Sequence, residues 1–529
     1  MPVRYYFALV LLGLFSYGVI SRLQAYPGYM DADYYFAGGL QLINGYGFNE
    51  PFLWNYLNNP GGLPQPSHTY WMPLASILSA AGLFLFGGKS FKASQVIFIL
   101  IALCIPPITA WLTNSFEPQP RKAILAGCLA IFPGFYLPFM TTTDTFGIYM
   151  ILGALFFLLI SSPMTIVVKS LFMGIISGLM HLARSDGLFW LGLGMIAIFV
   201  DERWKTLQAN NHSISKQRAI SILVVVLGYA LVMFPWYLRN LTEFGTMFAP
   251  GSGRVLWMTY YNELFSYPPD TLNVSAWLQS GIRSILMARI WALKQNLISF
   301  VSVQGGIFLL PLILLGLWRF RKNLRVRLWI LAWLMIHGMM TLVFPFIGAR
   351  GGLFHAASAL QPFSWAMVPY GLEMVVSWGE KHRSWSKREA YQILSIGIVL
   401  IAILMTAVLF YKRVVGIGTP EVLWGRSEYR YKQVEKRLME IDGGTTGLVM
   451  VNNPPGYFIV SGRPAIVIPD GEIECTLSVA EKYGARYVVL EEDHPPGLDQ
   501  LYLHPQSVPG LKYLSTIEKA HLFEYVGKP

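Results

Sequence analysis

Residues 5–36 read YYFALVLLGLFSYGVISRLQAYPGYMDADYYF, an apolar run that is followed closely by two acids. The run from Tyr5 to Ile20 is long enough to form most of a helix that crosses roughly 30 Å of hydrocarbon. It follows Arg4 and ends without a small-residue cleavage site, which favours a retained signal anchor over a removed signal peptide. The stretch therefore predicts a membrane span that opens into an acidic loop.

The rest of the chain repeats this apolar pattern. Of its 529 residues, 54% are hydrophobic and only 13% are charged, which is more apolar surface than a soluble core can hide. Apolar runs of about 17 to 22 residues recur as far as Phe410, and in lipid they must be helices because the backbone has to satisfy its own hydrogen bonds. The formal charge of +11 comes from short Lys and Arg clusters between these runs. It is a topology signal and does not indicate a nucleic-acid partner.

The basic clusters predict the topology. They lie at 121–122, 169, 203–218, 319–327 and 380–389, and the positive-inside rule places all five in the cytoplasm. This parity gives about eleven spans, with a cytoplasmic N-terminus and an extracytoplasmic C-terminal domain. The expected spans are roughly 4–24, 92–113, 123–141, 145–161, 165–182, 187–200, 219–236, 297–318, 328–346, 356–378 and 390–411.

One further apolar stretch, 71–86, has to be excluded for this parity to hold. We assign it to an amphipathic or re-entrant helix on the outer surface. The prediction is a polytopic α-helical membrane domain over residues 1–411, with its first outer loop at 25–91, followed by a small soluble α/β domain over 412–529. Strands are expected at 448–453, 464–469 and 486–493, around a helix near 474–484.

Asp31 and Asp33 follow the first span directly. Two carboxylates beside a membrane can supply a general base, a metal ligand, or both. Glycosyl transfer needs a base because an acceptor hydroxyl attacks poorly while it holds its proton. The structural alternative is that Asp31 or Asp33 caps the helix that follows.

The loop resembles the first outer loop of GT-C membrane glycosyltransferases, in particular the branch of protein O-mannosyltransferases and lipid A aminoarabinose transferases. The resemblance rests on Asp31 with Tyr35 and Gly39 after it, and on the stretch from Pro73 to Ser90. That family usually has adjacent Asp and Glu residues. Here Ala32 stands where Glu would be and Asp33 comes one place later, which leaves open whether Asp33 takes the second role.

Three later segments extend the resemblance through the membrane half. They are TTTDTFGIYM (141–150), HLARSDGLFWL (181–191) and PWYLRNLTEFGTMF (235–248). The first places Asp144 at the outer end of the third predicted span, where these enzymes often hold a second functional acid. The resemblance implies the GT-C fold with about eleven transmembrane helices and a polyprenyl-phosphate sugar donor.

Arg184, Arg239, Arg350 and His355 are the candidates for binding the donor phosphate. A guanidinium group can stabilise the negative charge that grows on a leaving phosphate. The alternative for each arginine is a lipid headgroup contact or an ion pair, for example Arg184 with Asp186. His355 could bind phosphate or metal, or be structural.

No cofactor is required by the sequence, and a divalent metal, Mg²⁺ or Mn²⁺, is an open alternative. His68 could meet Asp31 and Asp33 around such an ion, although its spacing follows no metal motif. The spacing of these three residues alone therefore does not decide between a metal site and three separate structural roles.

These observations predict an inverting glycosyltransferase of the cell or plasma membrane. It would move a hexosyl or pentosyl group from a polyprenyl-phosphate donor to a hydroxyl of a protein, glycan or lipid on the outer face. Asp31 would be the base, and Asp33 or Asp144 would orient the acceptor or a metal. Two alternatives remain: a transporter or flippase for lipid-linked sugars, and a relative whose altered acidic pair no longer catalyses.

Overall fold

The computed structural model describes residues 1–201, 203–204, 214–416, 422–444 and 447–527. Lys205, part of one predicted cytoplasmic cluster, lies outside the described residues. The chain forms two compact units. The first unit comprises Met1–Arg22, Phe98–Thr242 and Ile290–Ile417, and the second comprises Leu23–Ile97, Glu243–Arg289 and Gly418–Pro529.

Helices dominate the part of the chain before residue 416. In chain order their bounds are Val3–Leu23, Met30–Ile43, Leu74–Phe86, Phe91–Asn114, Pro120–Ile131, Leu137–Met140, Phe146–Ile160, Ile166–Ala183, Leu188–Phe199, Ile214–Phe244, Val274–Gln279, Ile282–Ser299, Leu310–Arg319, Leu324–Gly338, Pro345–Ile347, Leu353–Ala357, Gln361–Arg383 and Lys387–Phe410.

Six helical stretches of the described residues are long and apolar enough to cross a membrane. They are Val3–Leu23, Phe91–Asn114, Ile166–Ala183, Ile214–Phe244, Leu324–Val343 and Lys387–Val415. A seventh span results if Pro120–Ile131 and Gly134–Met140, which are bent by 48° at Phe132 and Pro133, are counted as one. These helices make the chain an integral membrane protein.

The predicted count of about eleven spans is not confirmed. The spans expected near 145–161, 187–200 and 297–318 coincide with apolar helices of fewer than 18 residues, and the one near 356–378 coincides with a longer helix that is not apolar enough to count. The excluded stretch 71–86 contains the 13-residue helix Leu74–Phe86.

Small residues bring helices of the first unit into close contact. A Cβ atom on Gly371 would lie 1.9 Å from the carbonyl oxygen of Leu312, and one on Gly316 would lie 2.2 Å from that of Met367. Both glycines therefore lie where the helices Leu310–Arg319 and Gln361–Arg383 touch backbone to backbone, as is common among helices in lipid. This contact leaves no room for a larger side chain at either glycine.

A mixed six-stranded sheet forms the centre of the second unit. The strands of the chain are β1 (Asn49–Glu50), β2 (Phe52–Leu53), β3 (Gln65–Pro66), β4 (Leu448–Val451), β5 (Ala465–Val467), β6 (Ala485–Leu490), β7 (Leu511–Ile517) and β8 (Ala520–Tyr525). The sheet has the order β2-β5-β4-β6-β8-β7. Its first four strands are parallel, β8 is antiparallel to β6, and β7 is antiparallel to β8. β1 and β3 form a separate antiparallel pair.

Helices cover both faces of this sheet, as parallel strands require. The helices of the terminal segment are Arg426–Asp442, Pro454–Ser461, Ile473–Tyr483 and Asp499–Leu503. Successive residues of a strand point to opposite faces. Accordingly, Val449 and Val451 pack in one hydrophobic cluster with the first of these helices, while Met450 packs in another with the third.

Strands β4, β5 and β6 begin within one residue of the three predicted starts, and each ends before its predicted end. One strand of the same sheet comes from elsewhere in the chain. Phe52 and Leu53 of the first outer loop pair in parallel with Ala465 and Ile466. The sheet is therefore built from both the first loop and the terminal segment.

Candidate active site

Asp144 is the best-defined acidic candidate of the first unit. It precedes the Phe146–Ile160 helix, is 1% exposed, and follows three threonines that are also buried. Its Oδ1 accepts hydrogen bonds from the backbone N–H and the hydroxyl of Thr145. A carboxylate at this end of a helix is also favoured by the helix dipole, so the local structure suits an ionised Asp144.

His355 lies against this carboxylate. Its Nε2 is 3.1 Å from Asp144 Oδ2, and its ring stacks on Phe146 with a centroid separation of 4.1 Å. The other ring nitrogen, Nδ1, is 3.0 Å from the carbonyl oxygen of Gly351. Because a carbonyl can only accept, Nδ1 must carry a proton. In neutral His355 a lone pair on Nε2 therefore faces the carboxylate, an arrangement that a proton or a metal ion between the two groups would stabilise.

Arg350 is part of the turn that orients His355. The segment Gly348–Gly352 is kinked at Arg350 and at Gly351, whose φ of 136° is accessible to glycine but strained for other residues. Arg350 is exposed, whereas the Gly351 carbonyl accepts the His355 bond. The structure thus pairs two of the predicted residues, Asp144 and His355, and places Arg350 on the turn that orients the histidine.

Arg184 and Arg239 have local partners instead. Arg184 Nε donates to Asp186 Oδ1 at 2.9 Å, and Asp186 also accepts from the Tyr149 hydroxyl at 3.2 Å. This is the ion pair foreseen as the structural alternative. Arg239 donates to Asn240 Oδ1 at 3.1 Å, and its guanidinium lies over the Trp236 ring. Both contacts are with residues near in sequence.

The Asp144–His355 pair also satisfies a simple chemical test for a metal site. Imidazole nitrogen together with carboxylate oxygen suits Mn²⁺ or Zn²⁺ better than Mg²⁺, which prefers oxygen ligands. In His355 the second ring nitrogen donates to a carbonyl, the outer contact that fixes the tautomer of metal-binding histidines. The residues present therefore fit a divalent cation.

Asp31 and Asp33 belong to the second unit, in the first turn of the Met30–Ile43 helix. The N-cap is Tyr29, so neither acid caps this helix as the structural alternative had proposed. Asp31 is half-buried and Asp33 is completely buried. Asp33 Oδ2 accepts a hydrogen bond of 2.7 Å from the side-chain amide of Asn453.

Asp33 shares its buried site with a second acid, Glu428, which is 1% exposed. Burial raises the pKa of the Asp33 carboxyl well above its usual range, and the neighbouring Glu428 raises this pKa further. Burial also raises the pKa of Glu428. Two adjacent carboxylates in a dry site therefore oppose each other's ionisation.

His68 is a buried residue of the second unit whose ring contacts two hydroxyl groups. Nδ1 is 2.7 Å from Ser67 Oγ, and Nε2 is 3.0 Å from Ser76 Oγ. These contacts engage both nitrogen atoms that could bind a metal. The sequence placed the metal candidates at Asp31, Asp33 and His68, whereas the carboxylate–imidazole pairing found in the first unit is Asp144 with His355.

No protein-family model matches the sequence, and no curated protein matches it. Solved structures, however, match its fold. The oligosaccharyltransferase AglB from Archaeoglobus fulgidus, in complex with an inhibitory peptide and a dolichol-phosphate, aligns with a TM-score of 0.56 at 14% identity, over 92% of this chain and 69% of that one. ArnT from Cupriavidus metallidurans, bound to undecaprenyl phosphate, aligns with a TM-score of 0.54 at 12% identity, over 100% of both chains.

The chain has the GT-C fold. This confirms the fold predicted from the Asp31 loop and the segments after it. A further structure of the Archaeoglobus oligosaccharyltransferase, in complex with Zn and sulfate, aligns with a TM-score of 0.55 at 14% identity, over 99% of this chain and 73% of that one. Since an oligosaccharyltransferase and ArnT match about equally well, the likeness does not single out one branch of the GT-C proteins.

Sequence reasoning missed the partners of the predicted residues. Asp144 and His355 were both candidates, but nothing in their spacing indicated that they pair. Glu428 and Asn453 were not considered at all, because they lie in the terminal segment, far along the chain from Asp33. The acidic residue Asp186, two residues from Arg184, is a partner that a local pattern does indicate.

Proposed function

We propose that the chain is a membrane glycosyltransferase that transfers a sugar, with inversion, from a polyprenyl-phosphate donor to an acceptor hydroxyl on the outer side of the membrane. The observation that carries the proposal is the Asp144–His355 pair beside the exposed Arg350. A carboxylate–imidazole pair, with a guanidinium on the turn before the histidine, can bind a phosphate and, through a cation, stabilise the charge of the leaving group. The GT-C fold adds support, because its neighbours hold undecaprenyl phosphate and dolichol-phosphate.

In the proposed reaction Asp31 takes the proton of the acceptor hydroxyl as that oxygen attacks the anomeric carbon. The bond between this carbon and the phosphate oxygen breaks, and the polyprenyl phosphate leaves with the electron pair. Arg350 stabilises the charge on the phosphate. Inversion requires that the base and the leaving group lie on opposite faces of the sugar.

Asp144 and His355 have a supporting role in this proposal. They would hold a divalent cation, which when bound stabilises negative charge on the phosphate. In the absence of a metal, a proton on His355 would supply the positive charge facing Asp144. Arg184 and Arg239 remain candidates for the donor phosphate, and each would have to give up its partner, Asp186 or Asn240, to reach it.

The proposal also fixes the sidedness of the chain. The N-terminus would be cytoplasmic, and the acidic loop and the terminal α/β segment would be extracytoplasmic. Single cysteines at Asp31 and at Arg350 should both react with a membrane-impermeant maleimide added to the outer face of spheroplasts or sealed vesicles. Labelling of the two positions from opposite faces would refute the proposal, because the two residues could not then act on one donor.

The chemical test is Asp31→Asn. Loss of the general base should lower the rate of sugar transfer from a polyprenyl-phosphate donor by about 10²- to 10⁴-fold, with unchanged membrane insertion. Asp270→Asn is the matched control, since Asp270 is an exposed acid of the Glu243–Arg289 segment that pairs with Arg254. Equal activity of the two variants would refute Asp31 as the base.

A second assay separates the enzyme from a flippase. Purified protein is reconstituted in vesicles with a fluorescent polyprenyl-phosphate sugar, and a membrane-impermeant quencher reports which leaflet holds the lipid. With an alcohol or water as sugar acceptor on the outer side, we expect the sugar to pass to that acceptor and polyprenyl phosphate to be released, without movement of the donor between leaflets. Translocation of intact donor, with no bond cleavage, would favour the transporter alternative.

A further inference from the structure

The terminal segment holds the start of the acidic loop through Trp424. The indole Nε1 of Trp424 donates a hydrogen bond of 3.0 Å to the carbonyl oxygen of Tyr26, and the ring meets Tyr29 edge to face at 5.8 Å. Between them, Gly28 has a φ of 97°, and a Cβ atom there would lie 2.2 Å from the same indole nitrogen. The loop backbone is therefore packed directly on Trp424.

Two more residues of the terminal segment bind the same loop. Glu428 Oε1 accepts a hydrogen bond of 3.2 Å from the backbone N–H of Gly28. Asn453 Nδ2 donates to Asp33 Oδ2 at 2.7 Å, in a site where Asp33 is 0% exposed. A Cβ atom on Gly456 would lie 2.8 Å from this carboxylate oxygen, so the packing is close as well as hydrogen-bonded.

Asp31 lies between these contact points. The loop is held at Gly28 and Tyr29 on one side and at Asp33 on the other, and the Asp33 N–H donates to the Tyr29 carbonyl at 2.9 Å. A short helical turn fixed at both ends leaves the backbone of Asp31 little freedom. Such fixing matters for a catalytic group, because a misplacement of about 1 Å can lower a rate roughly 10²-fold.

We propose that Trp424, Glu428 and Asn453 are positioning residues for Asp31, which makes the terminal α/β segment part of the catalytic apparatus. The inference rests on the proposed function, since it takes Asp31 as the base. It assigns to the terminal segment a role that does not depend on which acceptor the protein uses.

Asn453 offers a variant that separates this role from folding. Its side-chain oxygen accepts from Gly456 N–H at 3.1 Å and caps the Pro454–Ser461 helix, while its amide nitrogen donates to Asp33. Asn453→Asp keeps the capping oxygen, removes the donor and sets a carboxylate against Asp33. Asn273→Asp is the matched control, because exposed Asn273 caps the Val274–Gln279 helix by accepting from Ala276 N–H at 3.0 Å.

The two variants are compared as full-length protein in nanodiscs. Hydrogen–deuterium exchange over residues 26–33 should be faster in Asn453→Asp and unchanged in Asn273→Asp. The kcat for sugar transfer should fall roughly 10- to 100-fold in Asn453→Asp, while the KM for the donor changes less than about threefold, as expected when ground-state binding is retained. The double variant Asp33→Asn with Asn453→Asp restores a donor and an acceptor in exchanged places, and should recover slow exchange and most of the lost kcat.

Three outcomes would overturn the inference: the same exchange in both single variants, an unchanged kcat in Asn453→Asp, or no recovery in the double variant. Failure of the proposed function is recognised separately. In that case the wild-type protein transfers no sugar, while the exchange of residues 26–33 still reports whether the terminal segment fixes the loop.

Discussion

Replacement of Arg463 by methionine should weaken the fold of the terminal α/β segment. Arg463 is 3% exposed and lies between two acids. Its Nε donates to Glu435 Oε1 at 2.8 Å and its Nη1 to Asp442 Oδ2 at 2.8 Å. Methionine keeps most of the apolar stem but leaves both carboxylates without their cation. Only the Tyr457 hydroxyl, which donates to Glu435 at 2.7 Å, remains with that acid.

The expected cost follows from these contacts. A hydrogen bond to a charged group contributes about 1.5–3 kcal/mol, so the loss of two predicts about 3–6 kcal/mol. Removal of one partner from a buried ion pair typically costs about 3–5 kcal/mol. The matched control is Arg437→Met in the same region, because Arg437 and its partner Glu440 are 44% and 51% exposed. An exposed pair of this kind contributes less than about 1 kcal/mol.

The stability of the variant should depend less on acid pH than that of the wild type. In the wild type, hydrogen bonds from Arg463 lower the pKa of the Asp442 carboxyl. A lowered folded-state pKa gives stability that is present above the unfolded value of about 3.9 and is lost as the pH falls through the folded value. Without Arg463 the largest cause of this lowering is lost, although the backbone N–H of Gly444 and the charge of Arg486 still lower the pKa of Asp442. The stability of the variant should therefore fall less than that of the wild type as the pH drops below about 3.9.

Hydrogen–deuterium exchange of the amides in strands β4 and β6 measures the free energy of unfolding of the terminal segment in the intact protein. We expect much faster exchange for Arg463→Met than for Arg437→Met at pH 7, with a smaller difference at about pH 3. If the two variants exchange alike at pH 7, or if the difference grows at about pH 3, the ionic cluster does not stabilise the segment.

Two more predictions concern the first unit. Gly371→Ala should lower the stability of the purified protein by about 1–3 kcal/mol, because overpacking forces tightly joined helices apart. The control Gly397→Ala should have no such effect, since a Cβ there meets no atom within 4 Å. Thermal unfolding in detergent compares the two variants, and equal midpoints would contradict the close contact. Asp144→Asn and His355→Gln should each weaken Mn²⁺ binding at least about tenfold. Electron paramagnetic resonance measures the binding, and His382→Gln, at an exposed histidine, is the control. Unaltered binding in both variants would refute the metal site.

The sequence was informative wherever a structure depends on neighbouring residues. Strands β4, β5 and β6 begin within one residue of their predicted starts because their apolar runs are bounded by local turn signals. The two residues of β2, in contrast, form a strand only by pairing with β5. Nothing in so short a stretch could indicate a partner from the other end of the chain.

The membrane helices show the same division between local and distant causes. Hydropathy located the long apolar runs but not their breaks, such as the 48° bend between Pro120–Ile131 and Gly134–Met140. The sequence indicated Asp144, Arg350 and His355 as candidate site residues, but it did not indicate the contacts that these residues make. Contacts between distant residues depend on packing, which a single sequence does not reveal.

The altered acidic pair of the loop has a physical consequence for the roles of its two members. Residues i and i+2 of a helix point about 200° apart, so Asp33 cannot present its carboxyl on the face that Asp31 occupies. It is directed instead to Asn453 and Glu428.

An asparagine at position 33 could accept from Asn453 and donate to an ionised Glu428, which would satisfy both partners. We therefore expect Asp33→Asn to keep slow exchange over residues 26–33 and to lose less than about tenfold in kcat, against about 10²- to 10⁴-fold for Asp31→Asn. Equal losses in the two variants would show that Asp33 takes part in the chemistry, despite its burial against Glu428.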